Sequence, residues 1–220
     1  MSKLEDVKHR FEWDARNFAA IYKSDSVGFR LFNRVFRKAV FARYQIAMQE
    51  AGDVTGKSLL DIGCGSGIYS IEFAKRGARH VTGLDFSEPM LELAREGARK
   101  ADVDAKIEFV RGDFVSHDFG ATTFDTSIAM GVFDYLEDPG PFLAKMSKLT
   151  RGKVIASFPQ YSLVRGTARR LRYRLTGRGD VFYYSPDAVH RLAERAGLKQ
   201  HRLTRLESSG GGVVLVGDNS

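Results

Sequence analysis

The stretch "SLLDIGCGSGIYSIEFAKRG", Ser58 to Gly77, constrains the fold more than any other. A short apolar run leads into three glycines in five residues, at 63, 65 and 67, and then into an amphipathic run closed by Gly77. A strand, a glycine loop and a helix in that order bring backbone close to a ligand and aim unpaired helix N–H groups at it. The alternation continues downstream. "HVTGLDF" reads as a strand, "SEPMLELAREGARKA" as a helix opening at Ser87, "IEFVRGDF" and "FDTSIAMG" as strands, "PGPFLAKMSKLT" as a helix and "GKVIASFP" as a fifth strand. "SPDAVHRLAERAG" is a capped helix from Ser185 to Gly197, and the tail "LKQHRLTRLESSGGGVVLVGD" gives two final strands, a hairpin at the sheet edge. This pace of alternation predicts an α/β fold: a doubly wound, mostly parallel sheet with helices on both faces.

Ligands of such a sheet bind at the carboxyl ends of its strands. Asp61 to Gly67 lie at the end of the first strand, Asp85 of the second, Asp113 of the third, and Met130 to Asp134 follow the fourth, so four segments converge on one crevice. Upstream, Phe29, Phe32, Phe36, Val40 and Tyr44 recur at helical spacing, so residues 1–52 read as an N-terminal helical cap of the same domain. Residues 53–220 are the core, interrupted by an arginine-rich insert at 160–182. With 43% hydrophobic residues in a chain of 220, there is material for one full core and little for a second. Cys64 is the only cysteine, which excludes an intrachain disulfide and a Cys/His metal cluster and favours a reducing compartment. No apolar run reaches the roughly 20 residues that span a bilayer, and the charged N-terminus does not read as a secretory signal, so a cytoplasmic location is expected. The sequence sets no oligomeric state.

The glycine loop alone is ambiguous. A P-loop needs a lysine and a hydroxyl residue after its last glycine, whereas Gly67 is followed by Ile68 and Tyr69. In a dinucleotide site Asp85 fits the ribose-binding acid, but the glycines have the spacing G-x-G-x-G and Asp61 stands two residues before the first. A pyrophosphate gains nothing from a carboxylate there. Carboxylates at 61, 85 and 113 suit a ligand carrying an ammonium group, a ribose and an exocyclic adenine amine.

"LLDIGCGSG", "VTGLDFS", "VRGDF" and "FDTSIAMGVFDYLEDP" resemble the successive motifs of the class I S-adenosylmethionine-dependent methyltransferases of the small-molecule type, over roughly residues 56 to 160. The resemblance implies a Rossmann-like seven-stranded sheet with an antiparallel last strand, and S-adenosyl-L-methionine as cofactor. By position, Asp61, Gly63, Cys64, Gly65 and Gly67 would surround its methionine part and Asp85 would bond the ribose. Phe86, with Ser87 and Met90 behind it, would pack on the adenine, Asp113 would accept from the adenine amine, and Phe114 would sit beside it. Met130 and Gly131 would line the site near the transferred methyl.

Methyl transfer from a sulfonium requires alignment of the acceptor and exclusion of water more than a catalytic group. Asp134 and Tyr135 are the candidate bases, standing where the resemblance implies a Glu-His or His-His pair in many family members; Asp-Tyr departs from that pattern and argues against a histidine base here. The acceptor is expected to be a small molecule, anionic or polyhydroxylated: a sugar, phenol or carboxylate methylated on oxygen. Tyr22, Tyr161 and Tyr183 are candidate aromatic walls, joined by Phe182 and Tyr184, and Arg169 and Arg172 are candidate anion contacts. "NFAAIYKSDSVGFRLFNRVFRK" is similar to the segment before the glycine loop in magnesium-protoporphyrin methyltransferases, which esterify a carboxylate. The basic stretches, with a net charge of +7, keep nucleic acid open as an alternative acceptor, and a non-catalytic cofactor-binding subunit is the third reading.

Overall fold

Side chains alternate across each strand, and the alternation sorts the core into two layers. In the computed structural model, which describes residues 41–161, 181–206 and 212–219, the chain opens with helix α1 (41–51). It continues through β1 (Ser58–Ile62), α2 (Ile68–Lys75), β2 (His80–Asp85), α3 (Glu88–Lys100), β3 (Ile107–Arg111) and β4 (Phe124–Ala129). Then come α4 (Gly140–Leu149), β5 (Thr150–Pro159), α5 (Pro186–Arg195), β6 (Gln200–Arg205) and β7 (Gly212–Asp218). Leu59, Val81, Ile128, Ile155 and Val214 face one way and pack on Met48 and Ala51 of α1, Phe73 and Ala74 of α2 and Ala98 of α3. Their neighbours Leu60, Leu84, Ala129, Ala156 and Leu215 face the other way, onto Phe142, Leu143 and Met146 of α4 and Val189 and Ala193 of α5. A one-residue slip of any central strand would exchange these layers, so the burial itself fixes the register.

The seven strands stand in the order β3-β2-β1-β4-β5-β7-β6. β1 to β5 pair in parallel, while β7 runs antiparallel to both β5 and β6. The doubly wound sheet with an antiparallel last strand is therefore present. The expected terminal pair of strands stands at the sheet edge, with β7 on the inside and β6 forming the edge opposite β3. The reason lies in composition. "GVVLVGD" is buried along nearly its whole length, whereas "QHRLTR" interleaves charge with apolar residues as an edge strand must.

β1 has β2 on one side and β4 on the other, so the strand order reverses there and opens a crevice at the carboxyl ends. α1 is the described part of the expected N-terminal cap. Tyr22 and the aromatic stripe through Val40 lie outside the described residues, as do Arg169 and Arg172 of the insert. No helix among the described residues is long and apolar enough to cross a membrane.

Candidate active site

The three glycines of the β1–α2 loop all take positive φ, at 68°, 54° and 75°, yet two of them make room for protein rather than ligand. A Cβ on Gly63 would stand 2.5 Å from Cγ2 of Val132, in the segment after β4. One on Gly67 would stand 2.9 Å from the Ala94 Cβ of α3 and 3.0 Å from the Phe109 ring of β3. The loop is thus pressed against the segment after β4 on one side and α3 and β3 on the other, and this brings the first and fourth segments of the crevice into contact. Gly65 differs: its N–H donates to Oδ2 of Asp85 at 2.8 Å, and the Met90 methyl lies 3.5 Å from where its Cβ would be.

Two carboxylates are buried at this point. Asp61, 1% exposed, accepts from the Ser70 N–H at 3.1 Å and the Ser70 hydroxyl at 2.6 Å. Burial pushes its carboxyl up to about 7, against the opposing effect of the Ser70 bonds and with a further push from Asp85. Asp85, 8% exposed, accepts from the Gly65 N–H and, at 2.9 Å, from the Ser87 N–H, and burial raises its pKa as well. Among the described residues no Lys, Arg or His forms an ion pair with either. Two buried acids without a cation raise each other's cost of ionisation, and a cationic ligand relieves it. Cys64 lies between them, its thiol also driven up by burial, which makes it an unreactive loop residue.

Ser87 was expected as the N-cap of α3 and holds that position, but its hydroxyl makes no capping bond. It is fully buried and its Oγ has no hydrogen-bond partner, while its N–H donates to Asp85 in a tight turn at the end of β2. An orphaned hydroxyl beside Asp85 is what a hydroxyl- or amine-bearing ligand would complete. Phe86 is half-buried, its carbonyl accepting from Arg111.

Asp113 is half-buried, and its Oδ1 accepts from the Val115 and Ser116 N–H groups at 2.9 and 3.3 Å, so it organises the turn after β3. Phe114, expected beside the adenine, lies in the α4 layer of the core. It is 4% exposed in the core, with ring centroids 4.6 Å from Phe142 and 5.9 Å from Phe119, because the α4 layer offers it aromatic partners.

On the far side of the crevice, Gly131 has φ 86° and donates its N–H to Oγ of buried Ser157 at 2.8 Å. Met130 packs against the α1 and α2 layer. A short 3-10 turn, Phe133–Tyr135, follows, with Asp134 buried and Tyr135 half-buried. Tyr161 and Tyr183 come together edge to face, centroids 5.5 Å apart at 89°, next to Phe182, whose N–H donates to the Asp134 carbonyl at 3.0 Å. The two candidate bases and two of the three candidate aromatic walls therefore share one mouth. His190 pairs with His201 at 2.9 Å between α5 and β6, away from these residues.

One residue was missed by the sequence reading. Arg43 of α1 places Nη1 3.3 Å from where a Cβ on Gly131 would stand, and its charge acts on Tyr69 of α2. Nothing in "FRKAVFARY" separates it from the other basic residues of that stretch. Only the seating of α1 over β4 does.

Residues 59–153 match the family model described as "Methyltransferase domain". Over that stretch the chain carries a methyltransferase domain. Among relatives, a ubiquinone biosynthesis O-methyltransferase from Coxiella burnetii is 28% identical over 158 residues, 71% of this chain and 63% of that protein. One from Neisseria meningitidis is 34% identical over 100 residues, 45% of this chain and 42% of that protein. The methyltransferase match thus spans less than two thirds of these relatives' own length. Among solved structures, magnesium protoporphyrin IX methyltransferase from Synechocystis with bound S-adenosylmethionine superposes with TM-score 0.73 at 19% identity, covering 100% of this chain and 98% of that one. A possible histamine N-methyltransferase from Thermotoga maritima gives 0.67 at 18%, covering 97% and 100%. The methyltransferase fold is common to both.

Proposed function

We propose that this methyltransferase domain transfers a methyl group to an oxygen of a small aromatic molecule, a phenol or an aromatic carboxylate. The observation that carries the reading is the pairing of a carboxylate-rich crevice at the β1/β4 switch with an aromatic mouth built from Tyr135, Tyr161, Phe182 and Tyr183. S-adenosylmethionine, when bound, supplies an electrophilic methyl on its sulfonium. Asp61 and Asp85 offer charge to its cationic amino-acid end and its ribose, the Ser87 hydroxyl offers a further polar contact, and Arg43 offers a cation for its carboxylate. Met130 and Gly131 border the space where acceptor and methyl meet. Tyr161 and Tyr183 give a planar acceptor an edge-to-face partner and exclude water. Asp134, in the turn directly after Gly131, takes the acceptor hydroxyl proton where the acceptor is a phenol; a carboxylate acceptor needs no base. The name borne by the sequence relatives supports oxygen as the receiving atom.

The test is methyl transfer from labelled S-adenosylmethionine to a panel of catechols, hydroxybenzoates, sugars and tRNA. The expected result is label in an aromatic product, base-stable for an ether and base-labile for an ester. Label only in sugar or RNA would overturn the reading.

A further inference from the structure

We infer that Tyr184 is the positioning residue of the acceptor side: its hydroxyl clamps the turn that carries Asp134 and Tyr135. Residues 181–184 run without helix or strand hydrogen bonding between the arginine-rich insert and α5, and their alternate side chains and N–H groups are divided between two tasks. Tyr184 Oη donates to the Leu136 carbonyl at 2.6 Å and stands 3.2 Å from that of Phe133, the two carbonyls bracketing the 3-10 turn. The Phe182 N–H donates to the carbonyl of Asp134 between them. The Tyr184 N–H, in turn, donates to the Pro159 carbonyl at 2.9 Å, which ties the segment to the end of β5. Tyr183, the intervening residue, instead meets Tyr161 at the mouth.

A single 3-10 turn closes few bonds of its own. Here they are Tyr135 N–H to Val132 at 3.1 Å and Leu136 N–H to Phe133 at 3.4 Å, the second long. Its shape is therefore set from outside, and the external grip comes from Phe182 and Tyr184. The Tyr184 ring is itself held, edge-on to Phe158 at 5.4 Å, and Phe158 lies tilted against Phe133 of the turn with centroids 4.2 Å apart. Burial and the Asp134 charge both raise the phenol's pKa, which keeps it a donor. Tyr184 thus belongs to the turn rather than to the acceptor wall anticipated for it. One segment fixes both the acceptor wall through Tyr183 and the candidate base through Tyr184, so the two keep a common register. The inference rests on the reading of this mouth as the acceptor site.

Tyr184→Phe keeps the ring and removes the clamp. Hydrogen exchange of the full chain, followed on peptides covering residues 132–138, should accelerate about fivefold, the worth of one net hydrogen bond. S-adenosylhomocysteine affinity should stay within twofold of wild type, because the groups proposed to hold it, Asp61, Asp85, Ser87 and Arg43, make no bond to Tyr184. With an aromatic acceptor, kcat should fall about tenfold while KM for S-adenosylmethionine holds, a split that loss of general stability would not give. Unchanged exchange in that segment, or unchanged kcat with a working acceptor, overturns the inference. If wild type binds S-adenosylhomocysteine but methylates none of the aromatic acceptors, the proposed activity fails instead, and the exchange result alone decides on the clamp.

Discussion

Replacing Asp61 by asparagine should make the cofactor-free protein more stable and the cofactor bind worse. The carboxyl is 1% exposed and its pKa rises from 3.8 to about 7 on folding, mainly through burial. Folding therefore takes up a proton between about pH 4 and pH 7. The group's contribution to stability is fullest below pH 4, falls as pH rises toward 7 and is flat beyond it. A span of about three pH units corresponds to a ceiling of about 4 kcal/mol. Asparagine still offers Ser70 an acceptor oxygen but carries no charge to desolvate. Urea unfolding of both proteins from pH 4 to pH 8.5 should show the variant gaining on wild type by about 2 to 4 kcal/mol across that range, several degrees in Tm. Calorimetric titration should show S-adenosylmethionine binding weakened by about tenfold or more. In wild type the same affinity should strengthen as pH rises through 7, since the ionised carboxylate is the binding form. A stability difference that does not change with pH would refute the assignment of the burial cost to Asp61.

Arg43→Ala should weaken S-adenosylhomocysteine about tenfold, read by calorimetry, with Tm little changed, because the guanidinium has no carboxylate partner among the described residues and is proposed to meet the ligand's carboxylate. Gly67→Ala should cost about 2 to 4 kcal/mol in denaturant unfolding, since it combines φ of 75° with a Cβ 2.9 Å from Ala94 and 3.0 Å from Phe109. Reversing the charge of Arg169 and Arg172 should raise the acceptor KM and spare cofactor affinity; unchanged kinetics would remove them from the acceptor site.

The alternation of short apolar runs with amphipathic ones was enough to locate β1 to β5 and the helices between them, because each run is bounded by residues with one structural use. Gly77 closes α2, Ser185 caps α5 by accepting from the Ala188 N–H, and "SLLDI" is apolar enough to be buried on both faces. What sequence could not carry was partnership across the sheet. "GCGSG" looks like a ligand cradle, and its contacts to Val132, Ala94 and Phe109 appear only once β4, α3 and β3 are in place. The same limit hid the turn after β2, where Asp85 accepts from the Ser87 N–H and the Ser87 hydroxyl makes no capping bond. It also concealed Tyr184, one of four aromatic or aliphatic residues in "VFYY", whose hydroxyl matters only because the Phe133–Leu136 turn passes beside it. Long-range hydrogen bonds leave no periodicity to read.

The most direct test of the central claim is to incubate the protein with methyl-labelled S-adenosylmethionine and host-cell extract, and to separate small molecules, RNA and protein. The account predicts label in an aromatic small molecule, and loss of that label in Asp85→Ala. Label confined to RNA or protein, or none in any fraction, would contradict it.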